Sequence, residues 1–292
     1  MAEQEWLAEQ FEQQRPRLRA VAYRMLGSLT EADDAVQDAW IRLSRADTSN
    51  VENLGAWLTT VVARVALNML RSRNTRREQS LEVHVPDPIV DPADGTDPEH
   101  EAMLADSIGL ALLVVLETLT PPERLAFVLH DMFAVPFESI AAILDRSPEA
   151  SRQLASRARR RVRGSAPVPD ADLSAQWEVV EAFLAAAREG RFEALVALLD
   201  PDVVLRADGG VEGISGYVEG AETVASRAMM WSRTDLTLRR ALINGAAGIV
   251  SLRDGRPFSV GALTVRNGKI AEFDILSDPD RLAQLDLTVL VD

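Results

Sequence analysis

The chain has 292 residues, 47% of them hydrophobic, enough for two or three packed domains. It contains no cysteine, which excludes disulfides and thiolate-held metals, and no apolar run reaches the roughly 18 residues of a membrane span. Its net charge is −14, from 31 basic and 45 acidic residues, and the opening MAEQEWLAEQ is acidic and polar rather than a signal peptide, so a soluble cytoplasmic protein is expected.

The charge is unevenly spread. Residues 1–80 are balanced, 81–120 carry nine acids and no base, 121–163 are net +3, and 164–292 are net −8. Six arginines crowd into 152–163: Arg152, Arg157, Arg159, Arg160, Arg161 and Arg163.

In chain order, Leu18, Val21, Ala22 and Met25 fall at helical spacing. Thr30 is the expected cap of the next helix, with Asp33 three residues on. That helix places Val36, Ala39, Trp40 and Leu43 on one face and Asp33, Asp34, Gln37 and Asp38 on the other. After a polar loop at 44–55, Leu58, Val61, Val62, Val65 and Met69 mark a third helix. Residues 1–78 thus form one all-helical domain. In 79–97, three prolines, with Pro98 just beyond, are interleaved with four aspartates, a composition expected to build no core and to act as a linker.

Residues 98–163 form a second helical domain. TPPERLAFVLHDMF opens with a threonine cap and early prolines, FESIAAILD is short, and Ser147-Pro148-Glu149 starts the arginine-rich helix. The short gaps between them force a helix-turn-helix. On the last helix Ala150, Leu154, Ala158 and Val162 make an apolar stripe, leaving Arg152, Gln153, Ser156, Arg157 and Arg160 outside it. Arginine reads guanine and glutamine reads adenine in the major groove, and the second helix of this motif is the one that enters it.

Residues 164–173, GSAPVPDADL, are a second linker. From 174 to 286 two amphipathic helices precede strand-like segments separated by turns such as Asn267-Gly268, an α+β domain.

The segment LTPPERLAFVLHDMFAVPFESIAAILDRSPEASRQLASRARRRVR resembles region 4 of bacterial sigma factors, especially the extracytoplasmic-function group. EADDAVQDAWIRL and AWLTTVVARVALNMLRSRNTRR resemble region 2 of the same family. The last third resembles the cone-shaped SnoaL-like, nuclear transport factor 2-like fold that one subgroup carries at its C-terminus. The Val85-Pro86-Asp87-Pro88 linker resembles that subgroup too, whereas Asp208-Gly209-Gly210 lacks the lysine that often follows.

The resemblance implies two all-α sigma modules plus an α+β cone. It implies a factor that binds core RNA polymerase through Asp33, Asp34, Gln37 and Asp38. Arg152, Gln153, Ser156, Arg157 and Arg160 would then read the −35 duplex of promoter DNA, and Asn50, Glu52, Asn53 and Trp57 would engage the melted −10 strand. The acidic cone, on its short tether, is expected to contact the sigma modules or their linker and regulate them in cis. No catalytic group, metal or cofactor is expected, and no membrane partner. A ligand of the cone is left unassigned, with Tyr217, Met229, Trp231, Phe258 and Phe273 as candidate lining. Two alternatives stay open: a one-component helix-turn-helix regulator with a ligand-binding cone, and a SnoaL-like enzyme fused to a sigma module. All three histidines lie before residue 131, so the cone has none, and no spacing singles out a pair among Asp202, Asp208, Asp235, Asp274 and Asp278.

Overall fold

The computed structural model describes residues 2–46, 51, 53–77, 83–95, 109–165, 167, 169–170, 172–210, 213, 215–231 and 234–287. The chain forms two compact units. The first takes in 1–80, 98–106 and 115–165, the second 81–97, 107–114 and 166–292.

In the first unit, α1 (Ala2–Leu26), α2 (Leu29–Leu43) and α3 (Leu54–Arg77) pack together. Leu18, Val21, Ala22 and Met25 of α1 are buried, as their spacing predicts. The turn between α1 and α2 uses Gly27 at φ +69, a left-handed position that glycine adopts without strain. The cap of α2 is Ser28 rather than Thr30: its hydroxyl accepts from the Glu31 amide at 3.4 Å. Thr30 lies inside the first turn. On α3 the buried face centres on Leu58, Val62, Val65 and Ala66, and Val61 and Met69 sit at its half-buried edges.

The same unit holds α4 (Leu110–Glu117) in part, α5 (Pro121–Phe127), α6 (Phe137–Leu144) and α7 (Pro148–Ser165). The helix expected to continue through HDMF widens at Val128–Met132 into one π-type turn. There His130 plays a structural part: Nδ1 lies 3.1 Å from the Val135 carbonyl and the ring stacks on Phe137. Asp145, in the left-handed region, ends α6, and Ser147 caps α7 by accepting from the Ala150 amide at 3.1 Å.

The two helical modules touch within this unit. Buried Arg124 donates from Nε to the Arg24 carbonyl at 3.1 Å. Arg64 donates to the Ala142 carbonyl at 3.1 Å and Arg17 to the Phe133 carbonyl at 3.3 Å, while the Arg24 guanidinium lies 4.9 Å from the Phe133 ring centre.

The second unit is a cone. Helices α8 (Leu173–Arg188), α9 (Phe192–Leu198) and α10 (Ala221–Trp231) cover a seven-stranded sheet. Its strands are β1 (Val90–Pro92), β2 (Leu199–Asp208), β3 (Gly216–Glu219), β4 (Thr237–Ile243), β5 (Ala246–Arg253), β6 (Arg256–Arg266) and β7 (Lys269–Leu276), followed by the short α11 (Pro279–Leu282). The order is β1-β4-β5-β6-β7-β2-β3, antiparallel except for the β2–β7 pair. The hairpins turn on Asn244-Gly245, Asp254-Gly255 and Asn267-Gly268, each with positive φ at both residues. Trp177, Val180 and Phe183 of α8 pack on Leu205, Ile249, Leu263 and Phe273 of the sheet, where each fully buried side chain contributes roughly 1.5–3 kcal/mol.

The stretch expected to be a coreless linker is instead part of the cone. Val85 through Asp91 are buried, and Val90, Asp91 and Pro92 pair with Ile243, Leu242 and Ala241 as the edge strand β1. Prolines leave this segment few amide donors, and side chains of the cone accept from two of them. Val85 N–H donates to Asp208 Oδ2 at 3.0 Å, and Ile89 N–H to Asn244 Oδ1 at 3.1 Å. Proline is tolerated at an edge because one side of the strand has no ladder to join. The second linker is also partly structural: both oxygens of Asp170 accept from the Asn267 and Gly268 amides at 2.9 Å, and Asp172 caps α8.

Candidate nucleic-acid interface and the linker clasp

On α7 the buried side is Ser151, Leu154, Ala155 and Ala158, about one residue round from the expected stripe, with Ala150 and Val162 half-buried. The shift leaves the five expected reading residues together. Arg152, Gln153, Ser156, Arg157 and Arg160 are all exposed, and their spacing puts them on one face.

Carboxylates of the same module already engage several of the arginines. Arg159 makes a two-point bond to Asp131, with Nε at 2.7 Å and Nη2 at 3.2 Å. Arg157 Nε donates to Glu123 Oε1 at 3.1 Å, and Arg161 reaches the other Glu123 oxygen at 3.7 Å. Glu123 Oε2 meanwhile accepts from the Thr120 amide at 3.2 Å and hydroxyl at 2.8 Å, a capping box on α5. Burial pushes the Glu123 carboxyl up, but the bonds from Thr120 and Arg157 and the charge of Arg161 outweigh it and hold it below the usual range. Arg152 lies over Phe137, 5.4 Å from the ring centre, and contacts Glu138 at 3.3 Å. Arg160 and Arg163 make no side-chain bond among the described residues.

On α2 the expected docking face is solvent-facing: Asp33, Asp34 and Gln37 are exposed and Asp38 is half-exposed. Asp33 is taken by Arg19, at 2.7 and 3.1 Å, and Asp38 by Arg42 at 3.0 Å. Asp34 and Gln37 have no side-chain partner among the described residues. Of the residues expected at the melted strand, Asn50 and Glu52 lie outside the described residues. Asn53 caps α3, its Oδ1 accepting from the Ala56 amide at 3.0 Å, and Trp57 is half-buried rather than enclosed.

Sequence reasoning missed the clasp that holds the linker on the cone. Arg281 Nη2 donates to the Val85 carbonyl at 2.6 Å, Nε donates to Asp87 at 2.8 Å and Nη1 donates to Asp208 at 2.8 Å. Asp208 also receives the Val85 and Gly210 amides and faces His84 Nδ1 at 3.3 Å. Burial raises its pKa, but His84, these amides and Arg281 pull it down to about 2. The motif that lacks its lysine therefore finds its cation 73 residues later in the chain. The one cue in the sequence was the apolar set Val85, Ile89 and Val90 among the prolines.

Residues 10–76 match the sigma-70 region 2 family and residues 109–162 the sigma-70 region 4 family. SigJ, an extracytoplasmic-function RNA polymerase sigma factor of Mycobacterium tuberculosis, is 38% identical over 287 residues, spanning 93% of this chain and 92% of its own. The chain belongs to the extracytoplasmic-function sigma factors. A probable sigma factor SigI of the same organism is 32% identical, with 91% of each chain covered. The crystal structure of SigJ matches this sigma factor with a TM-score of 0.77 at 34% identity, over 96% of this chain and 99% of that one. The relatives are sigma factors rather than enzymes. This sigma factor serves promoter-directed transcription initiation by RNA polymerase, with an α+β unit after its two sigma modules. No described helix is long and apolar enough to cross a membrane.

Proposed function

We propose that this sigma factor docks on core RNA polymerase in the cytoplasm through the α2 face around Asp34 and Gln37. In this reading α7 reads the −35 duplex with Arg152, Gln153, Ser156, Arg157 and Arg160. The N-terminal end of α3, with Asn53 and Trp57, and the preceding Asn50 and Glu52 of the sequence engage the melted −10 strand. The cone regulates in cis by retaining the linker between the sigma modules. The observation that carries this last step is the burial of Val85–Asp91 in the cone sheet under the Arg281 clasp. A linker held as an edge strand cannot extend between modules that must span two promoter elements. Binding to polymerase would therefore have to release it and part the Arg124–Arg24 and Arg64–Ala142 contacts.

The test is Arg281→Ala in the full-length chain. It removes both the bond to the linker carbonyl and the charge facing Asp87 and Asp208. Limited proteolysis should cut faster within 83–95, and promoter-specific transcripts from reconstituted polymerase should change several-fold. Faster cleavage with unchanged transcription would remove the linker from the regulatory step.

A further inference from the structure

Between α8, α10 and the concave face of the sheet lies a pocket of about 530 Å³, within the range of small-molecule sites. Phe183, Leu205, Ile249, Phe273 and Ile275 form its apolar wall. Of the aromatic residues expected to line it, only Phe273 does so among the described side chains. Tyr217 is exposed on β3, and Phe258 lies under Arg253. Gly261 lets the Phe273 ring pack close against β6, since a Cβ there would stand 2.9 Å from Phe273 Cε2.

Two polar groups reach this wall. Ser251 and Ser259 are register partners on β5 and β6, and they are 6% and 7% exposed. Neither hydroxyl has a hydrogen-bond partner among the described residues. Neither oxygen is among the described polar atoms sealed off without a partner, so both hydroxyls open into the pocket and offer it a donor and an acceptor side by side.

Charge is kept out of the depth. The charged lining residues, Arg188 and Asp235, are both exposed. The cone's buried carboxylates Glu272 and Asp274 are not in the wall. They bond Arg206 on the opposite face, because strand alternation sends Phe273 and Ile275 one way and Glu272 and Asp274 the other. Acid–base or nucleophilic catalysis needs a titratable group within reach of the substrate, and among the described residues the buried wall offers neutral hydroxyls. A charge carried into the depth would lose its hydration without gaining a counter-ion among the described residues.

We propose that the cone binds a neutral, largely apolar small molecule whose hydroxyl, carbonyl or amine group bonds Ser251 and Ser259. This goes beyond the sigma-factor reading and does not depend on it, since binding is measured without polymerase or DNA.

The experiment titrates the full-length chain with two fluorescent probes that share one skeleton, neutral N-phenylnaphthylamine and its sulfonated analogue anilinonaphthalene sulfonate. The neutral probe should bind saturably at one per chain and at least roughly tenfold more tightly than the anion. Ala228→Phe, which fills the pocket from α10, should abolish this binding. Ser251→Ala with Ser259→Ala, which leaves the volume almost unchanged, should weaken it several-fold, and circular dichroism checks the fold of both. If Ala228→Phe does not fold, the serine pair decides. No saturable binding, equal affinity for the two probes, or binding indifferent to the serine pair would overturn the proposal.

Discussion

Glu123 holds Arg157 at 3.1 Å with one carboxylate oxygen while the other caps α5 through Thr120. One side chain thus caps the helix that precedes the turn motif and aims a residue on α7, the motif's second helix. Glu123→Gln should cost region 4 about 1–2 kcal/mol of stability. It should also lower binding to the matched −35 duplex more than binding to unrelated DNA. Because folding depresses the Glu123 pKa, its contribution is present at neutral pH and is lost as pH falls through the carboxylate range. Thermal melts of both proteins should therefore converge as the pH is lowered.

The arginines of α7 should separate by partner. Arg152→Ala should weaken specific binding by about 1–3 kcal/mol if its contact is bidentate to a base. Arg163→Ala should lower affinity for all sequences alike and flatten the salt dependence. Arg159→Ala should act mainly on stability, because Asp131 already engages that guanidinium at two points. Fluorescence anisotropy over a salt series, paired with thermal melts, distinguishes the three. Equal loss at all three positions would show that α7 does not read bases.

Asp34→Arg together with Asp38→Arg should abolish capture of core polymerase without unfolding α2, whose core side is Ala32, Ala35, Val36, Ala39 and Leu43. Pull-down with purified core polymerase measures the first effect and circular dichroism the second. Unchanged capture would remove this face from the interface.

Two aspartates of the cone should move stability in opposite directions with pH. Burial pushes Asp274 up to about 6, helped by the charge of Glu272 and opposed by Arg206. Its folded pKa exceeds the unfolded value of 3.8, so stability falls as pH rises from about 4 to about 6. Asp208, held at about 2, contributes stability that is lost as pH falls from 3.8 toward 2. Asp274→Asn should remove the first slope and leave the second, as chemical denaturation from about pH 2 to about pH 7 would show.

Local chemistry was legible in the sequence wherever it was decisive. Asn267-Gly268 specified its hairpin because both positions need positive φ. The reading face of α7 was visible because polar residues recur at helical spacing, even though the buried stripe is set one residue round. The clasp was not visible, because Arg281 and Val85 are 196 residues apart and a salt-bridged arginine has the same sequence signature as a solvated one. Arg124 was hidden for the same reason, its partner being a backbone carbonyl. The linker misled because proline and aspartate depress core formation on average, while here a sheet edge and side-chain acceptors take up donors of Val85 and Ile89 and pair residues 90–92.

The position of β1 also bears on solubility. As the outermost strand it covers the β4 edge, the side of the sheet where unpaired amides and carbonyls would otherwise recruit a foreign strand. Any event that draws the linker out uncovers Ala241–Ile243 at the same moment. Release is thus coupled to a new adhesive border on the cone. A short extended peptide copying residues 83–95 should bind that border and wedge the released state open, converting a transient intermediate into one that can be isolated.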